Sequence, residues 1–394
     1  MNKVSTDIFS VGVNDCETVL FEELWPLTDG ISYNSYLIVD DKIALIDSVE
    51  YPFAEETIEN IHNVIGDRAI DYLIVNHMEP DHSSSIKKMR ELYPDLVVVG
   101  NKKTLSMLGG FYNIKDNLLE VNDGYNLSLG KKNLVFYLTP MLHWPETMMT
   151  YCVEEKTLFS GDAFGSYGVI NGVDDKIDPE LDKYKDEILR YYSNIVGKYA
   201  IPVARALSKL SSVDIEKICS THGPAWINYD SVKKIINIYD HLSRYEAEKG
   251  VVIAYGTMYG NTELAAIRIK EQCEKEGVKV VLHKLTPDNL SFVLRDIFKY
   301  DTIIIGSPTY NMSVFPFVAN MMGAIKLRGV VNRKFGYFGS YTWTGGAAKK
   351  VIDFGNSMKW NLISQPVAFK QTFKYSGCDE EINKLCDDII SSFK

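Results

Sequence analysis

The chain has 394 residues, and at roughly 100–200 residues per domain that length predicts two domains. Hydrophobic residues make up 46% and charged residues 24%, the balance of a globular protein with a buried core and not of a disordered one. Lys and Arg total 42 against 52 Asp and Glu, and the net charge of −10 repels phosphate backbones, so nucleic acid is excluded as an expected partner.

In chain order, the opening Met1-Asn2-Lys3-Val4-Ser5-Thr6-Asp7 lacks the apolar run of a secretion signal. No segment is apolar for long enough to span a bilayer, so a cytoplasmic location without a membrane partner is expected. Short β-branched runs at 35–39, 43–47, 71–75, 96–99 and 134–138 read as buried strands, with helices at 55–65 and 84–92 between them. From Tyr229 onward the sequence is polar and helical, with apolar residues at Val232, Ile235, Ile236, Ile238 and Leu242, up to Gly250 as a C-cap. The domain boundary is placed there, giving domains 1–249 and 250–394. Strand, glycine-rich turn and helix then recur through 251–255, 302–305 and 335–338, the pattern of a doubly wound parallel sheet. Six cysteines (Cys16, Cys152, Cys219, Cys273, Cys378, Cys386) form no C-x-x-C pair. They read as small buried apolar residues, without a rubredoxin-type iron site or a disulfide framework.

The richest stretch is Asn76-His77-Met78-Glu79-Pro80-Asp81-His82, which places four potential metal ligands at one strand end. Three further strand ends deliver His143, Asp162 and His222, and strands of one sheet system can bring such ends together. His62, His241 and His283 have no such setting and read as ordinary histidines. The order H-x-E-x-D-H, then His, Gly-Asp and His-Gly, resembles the metallo-β-lactamase fold and specifically its flavodiiron branch. Hydrolases of that fold usually carry histidine where Glu79 stands. A carboxylate there makes the site harder and more anionic, which suits iron. The resemblance implies an N-terminal αββα sandwich, with one iron on His77, Glu79 and His143, the other on Asp81, His82 and His222, and Asp162 bridging both.

After the strand at 251–255 comes Gly256-Thr257-Met258-Tyr259-Gly260-Asn261-Thr262, leading into a helix. Such a turn offers backbone N–H groups and hydroxyls to a phosphate at the positive end of a helix dipole. It carries no lysine and resembles the phosphate loop of flavodoxins, not that of nucleotide hydrolases. Pro308, Thr309, Tyr310 and Asn311 at one later strand end, and Ser340, Tyr341, Thr342, Trp343 and Gly345 at another, match the flavodoxin loops that flank an isoalloxazine ring. The aromatics there can stack on the flavin or stand as plain surface residues.

The resemblance spans almost the entire chain and implies FMN passing electrons to two irons that reduce dioxygen to water or nitric oxide to nitrous oxide. Tyr191 or Tyr192 resembles a family tyrosine near the substrate, and core packing is the rival reading for both. Without a C-x-x-C pair, a separate donor such as rubredoxin or a flavin reductase is expected. Two other function classes remain: a zinc hydrolase or thioesterase with a regulatory flavodoxin half, and an electron carrier whose metal domain is only a scaffold. A helical linker of about twenty residues, at about 1.5 Å per residue, would hold iron and flavin roughly 30 Å apart in one chain. The resemblance implies that a head-to-tail homodimer, or a tetramer of such dimers, closes that gap. Trp343 is then a candidate for reaching the partner's metal site.

Overall fold

The computed structural model describes residues 2–169, 181–285 and 290–393. The chain divides into two compact units, Met1–Ser243 and Arg244–Lys394.

The first unit is built on two sheets. One has seven strands in the order Asn2–Lys3, Ile8–Ser10, Tyr36–Val39, Ile43–Ile46, Tyr72–Ile74, Val97–Gly100 and Leu118–Glu120, antiparallel at its start and parallel from Ile43–Ile46 onward. The other has five, Asn126–Ser128, Asn133–Leu138, Met148–Cys152, Thr157–Gly161 and Lys217–Ser220. Side chains alternate across each strand. Ile38, Ala44, Ile46, Ile74 and Val99 therefore join Phe136, Met148, Phe159 and Cys219 in the core between the sheets. Their neighbours Leu37, Leu45, Leu73 and Val98 pack outward onto Ile61, Ile65, Ile86 and Met89 of the covering helices. Burial on both faces is why these strands are continuous apolar runs in the sequence. The result is the αββα sandwich that the resemblance implies.

The second unit is a parallel sheet in the order Val280–Lys284, Glu248–Tyr255, Tyr300–Gly306 and Lys334–Tyr341, with Asn361–Leu362 and Val367–Lys370 both paired to the last of these. This is the flavodoxin-like order, with its switch point beside Glu248–Tyr255, where such sheets bind ligands.

Three expectations need correction. The helix Tyr229–Ser243 stops well before Gly250, which lies inside the strand Glu248–Tyr255. Glycine serves there because a Cβ would lie 2.4 Å from Cδ1 of Tyr300. Nor is this helix a spacer. Val232, Ile235, Tyr239 and Leu242 form one buried stripe, and Tyr239 packs on Phe164 with ring centroids 4.6 Å apart, so the helix belongs to the first unit. The 30 Å separation derived from it has no basis. Of the six cysteines, Cys16 is exposed and the other five are buried.

Candidate metal centre and flavin cradle

The seven ligand-type residues converge. Asp47 ties down the start of the loop after Tyr72–Ile74, its oxygens accepting from Asn76 N at 2.7 Å and Asn76 Nδ2 at 2.9 Å, while Thr150 Oγ1 donates to Asn76 Oδ1 at 2.7 Å. His77 and Glu79 follow, and the short helix Pro80–Ser83 carries Asp81 and His82. Two groups result, His77 with Glu79, His143 and Asp162, and Asp81 with His82 and His222, the donor atoms of each lying within 4.8 Å of one another. In the first, Glu79 Oε2 lies 3.0 Å from His77 Nε2 and 3.2 Å from His143 Nε2. In the second, Asp81 Oδ2 lies 3.2 Å from both His82 Nε2 and His222 Nε2. Asp162 joins them: Oδ2 is 2.9 Å from His143 Nε2, and Oδ1 is 3.0 Å from His82 Nε2.

These side chains fit a pair of cations. Both oxygens of Asp81 and Nδ1 of His82 are buried without a hydrogen bond, a costly state for a carboxylate unless a positive charge faces it. The Nε2 atoms of His82 and His222 meet at 3.1 Å, where a shared cation satisfies both lone pairs. Burial disfavours charge on Asp162, Glu79, His82 and His143, but their mutual attraction wins. It holds Asp162 and Glu79 below the usual carboxylate range and raises His82 and His143 to about 9.

The two candidate tyrosines separate. Tyr191 is buried with its ring 5.6 Å from that of His222 and its hydroxyl without a hydrogen bond. Tyr192 packs edge-on against Tyr239 at 5.1 Å. A π-helical turn over Tyr192–Val196 marks this place in the helix, a distortion often found at functional sites.

In the second unit the three expected loops knit together. Thr257 Oγ1 accepts from Gly260 N at 3.1 Å and closes the first loop, and Gly260, at φ +85°, caps the helix Asn261–Lys275 without any side-chain cap. The N–H groups of that first turn are thus available to an anion. Asn261 Oδ1 accepts from Phe373 N at 3.3 Å, which leaves its amide as the donor. Thr262 Oγ1 lies 3.4 Å from Ser340 Oγ, while Thr309 N donates to Ser340 O at 2.7 Å and Thr309 Oγ1 accepts from Gly346 N at 3.1 Å. Pro308 is buried at the loop base; Met258, Tyr259, Tyr310, Asn311, Thr342, Trp343 and Gly345 are exposed, and Tyr341 is half-buried. An uncapped helix start ringed by neutral donors and flanked by exposed aromatics fits a flavin phosphomonoester.

Residues 31–223 match the family described as ODP family beta lactamase, and residues 253–372 match Flavodoxin. The chain is 34% identical to a nitric oxide reductase of Moorella thermoacetica over 86% of this chain and 84% of that one. The chain belongs to the flavodiiron family. Its fold superimposes on the rubredoxin oxygen:oxidoreductase of Desulfovibrio gigas with a TM-score of 0.93, at 28% identity over 99% of this chain and 98% of that one. The flavodiiron protein of Giardia intestinalis gives 0.92, also at 28% identity, over 100% and 95%. This flavodiiron chain is an oxidoreductase.

Sequence reasoning missed the groups behind the ligands. Glu146 Oε1 accepts from His77 Nδ1 at 3.1 Å and from Met78 N at 2.9 Å. Thr221 Oγ1 donates to Asp162 Oδ1. Glu22 sits at the exposed tip of the hairpin Leu20–Phe21 and Trp25–Pro26, yet its carboxyl turns inward toward Glu79. Desolvation, with the Glu79 carboxylate beside it, pushes its pKa up to about 7. The proximity of Glu146 to His143 in sequence was a usable signal; Glu22 had none.

Proposed function

We propose that this chain reduces dioxygen or nitric oxide with electrons passed through FMN to two irons. His77, Glu79 and His143 hold one iron, Asp81, His82 and His222 the other, and Asp162 spans both. The orientation of Asp162 carries the reading, because its two oxygens face imidazoles of different groups. When bound, the irons supply reversible electron transfer and Lewis acidity, and the flavin supplies the electrons. Thr257, Thr262, Asn261 and the backbone of 258–262 hold the phosphate; Pro308, Thr309, Tyr310, Asn311, Ser340, Tyr341, Thr342, Trp343 and Gly345 surround the ring. Tyr191 is the substrate-side tyrosine. Its hydroxyl, kept protonated by burial, offers a hydrogen bond to the gas or its reduction product.

The diiron chemistry thus belongs to the first unit and the flavin to the second. The proposed electron donor is a rubredoxin or a flavin reductase, a reading supported by the likeness to a rubredoxin oxygen:oxidoreductase. The cytoplasm is the proposed location, and among the described residues no helix is long and apolar enough to cross a membrane.

Asp162→Ala tests the site. The variant is expected to lose most of its iron and its gas reduction while binding FMN as the parent does, because the two sites draw on different units. Normal iron content and turnover would reject the bridge. Zinc in place of iron, in parent protein made with ample iron, would favour the hydrolase reading instead.

A further inference from the structure

The side chains proposed for the two metal positions are matched in type. Each position has two histidines, one carboxylate of its own and a share of Asp162. What stands behind the histidines is not matched. His77 Nδ1 donates to the carboxylate of Glu146 at 3.1 Å, and both side chains are almost wholly buried. Two further contacts pin Glu146: Met78 N donates to its Oε1 at 2.9 Å, and Asn101 Nδ2 donates to its backbone oxygen. In the other group, His222 Nδ1 donates at 2.8 Å to the backbone carbonyl of Ser32, a neutral acceptor, and His82 Nδ1 is buried without a hydrogen bond. Of the other carboxylates nearby, Asp47 lies close enough to His82 for their charges to attract, but its hydrogen bonds come from Asn76 and none comes from an imidazole.

We propose that Glu146 is a positioning residue that makes the two irons unequal, stabilising the ferric state at the His77 position over its neighbour. The proposal rests on the ligand assignment above. A carboxylate that accepts the Nδ1–H hydrogen bond fixes the tautomer in which Nε2 presents its lone pair to the metal, and it makes that imidazole a stronger donor. A stronger, more anionic donor stabilises Fe(III) more than Fe(II). With irons bound, the first electron from an external reductant would then convert Fe(III) to Fe(II) at the Asp81, His82 and His222 position, and the second would do so at the His77 position. The half-reduced pair therefore has a defined distribution of valence and persists over a wide span of potential.

The experiment is a dithionite titration of the full-length, iron- and FMN-loaded protein, followed by electron paramagnetic resonance of the half-reduced pair and by Mössbauer spectra of iron-57-loaded samples. Glu146→Gln keeps the size and the hydrogen-bonding capacity but removes the charge. A tenfold loss of ferric preference raises the second midpoint by about 59 mV for a one-electron couple. The half-reduced signal is then expected to shrink. Glu146→Asp keeps the charge and should hold the two midpoints apart. A Gln variant with full iron content and an unchanged half-reduced range overturns the proposal. So does an Asp variant whose midpoints have merged, because the role would then be packing; this second measurement decides the matter if the Gln variant fails to retain iron. Parent protein that fails to bind an iron pair would overturn the ligand assignment instead, an outcome visible in its metal content before any titration.

Discussion

At the scale of the residue, the site depends on side chains whose two ends do different work. Asp162 faces one group with each oxygen, and His77 offers Nε2 to the metal position while Nδ1 is held by Glu146. Tyr191 and Tyr192 are adjacent and chemically identical, yet only Tyr191 turns its ring toward His222. Tyr191→Phe is expected to lower kcat for gas reduction by about 10²-fold, the lower range for loss of a positioned proton donor, with iron content unchanged. Tyr192→Phe should leave turnover intact and affect stability only. Steady-state assays with both gases, using one chemically reduced donor, check this; equal effects of the two variants would remove Tyr191 from the substrate side. The pair was undecidable in the sequence because which way each ring points is set by the helix rotation at Tyr192–Val196, and that rotation is a packing outcome.

At the scale of the element, strand ends and helix starts carry both sites, and buried polar contacts hold the elements together. In the second unit, His283 on the strand Val280–Lys284 meets Asp296 on the helix Leu290–Lys299 at 2.7 Å, and Arg295 Nε donates to the same carboxylate at 2.8 Å. Burial opposes the charge of Asp296, but these two donors hold its pKa below the ordinary value. A carboxyl depressed in the folded state contributes stability that is complete above its unfolded pKa of about 3.9 and is lost as the pH falls through the lower folded value. Asp296→Asn is therefore expected to destabilise the flavodoxin-like unit by about 1.5–3 kcal/mol at pH 7. The deficit should vanish once the pH drops below the folded pKa. Urea unfolding followed by flavin fluorescence across pH 2.5–7 would show the two curves converging; a constant gap would mean that the loss is steric. The histidine had been read from sequence as an ordinary one, and that is its role: a satisfied partner of a buried acid.

At the scale of the whole molecule, the question is how electrons pass from the flavin-bearing unit to the iron-bearing one. The proposed answer is a head-to-tail homodimer, or a tetramer of such dimers, in which a two-fold axis forms both junctions at once. Trp343, 82% exposed, and Tyr259, 89% exposed, stand on the flavin loops as aromatic surface suited to a partner. A His222→Ala chain mixed with a Thr257→Ala/Thr262→Ala chain, after dissociation and reassociation, should regain part of the parent activity, because one junction of each mixed dimer combines an intact flavin site with an intact iron site. Full activity in a verified monomer would reject the arrangement.

The sequence by itself determined the chemistry on offer. Glu79 among histidines, the lysine-free loop from Gly256 to Thr262 and the order of both motif sets are local patterns, and local patterns survive in one dimension. The strands were legible for the same reason, since burial on both faces leaves apolar runs that turns interrupt. Only the tertiary structure decided which oxygen of Asp162 faces which group, that Glu146 stands behind His77, that Glu22 turns inward, and that the helix Tyr229–Ser243 packs on the first unit instead of spanning to the second. Each of these depends on atoms far apart in the chain meeting within about 3–5 Å, a distance set by how sheets and helices pack and written in no single stretch of residues.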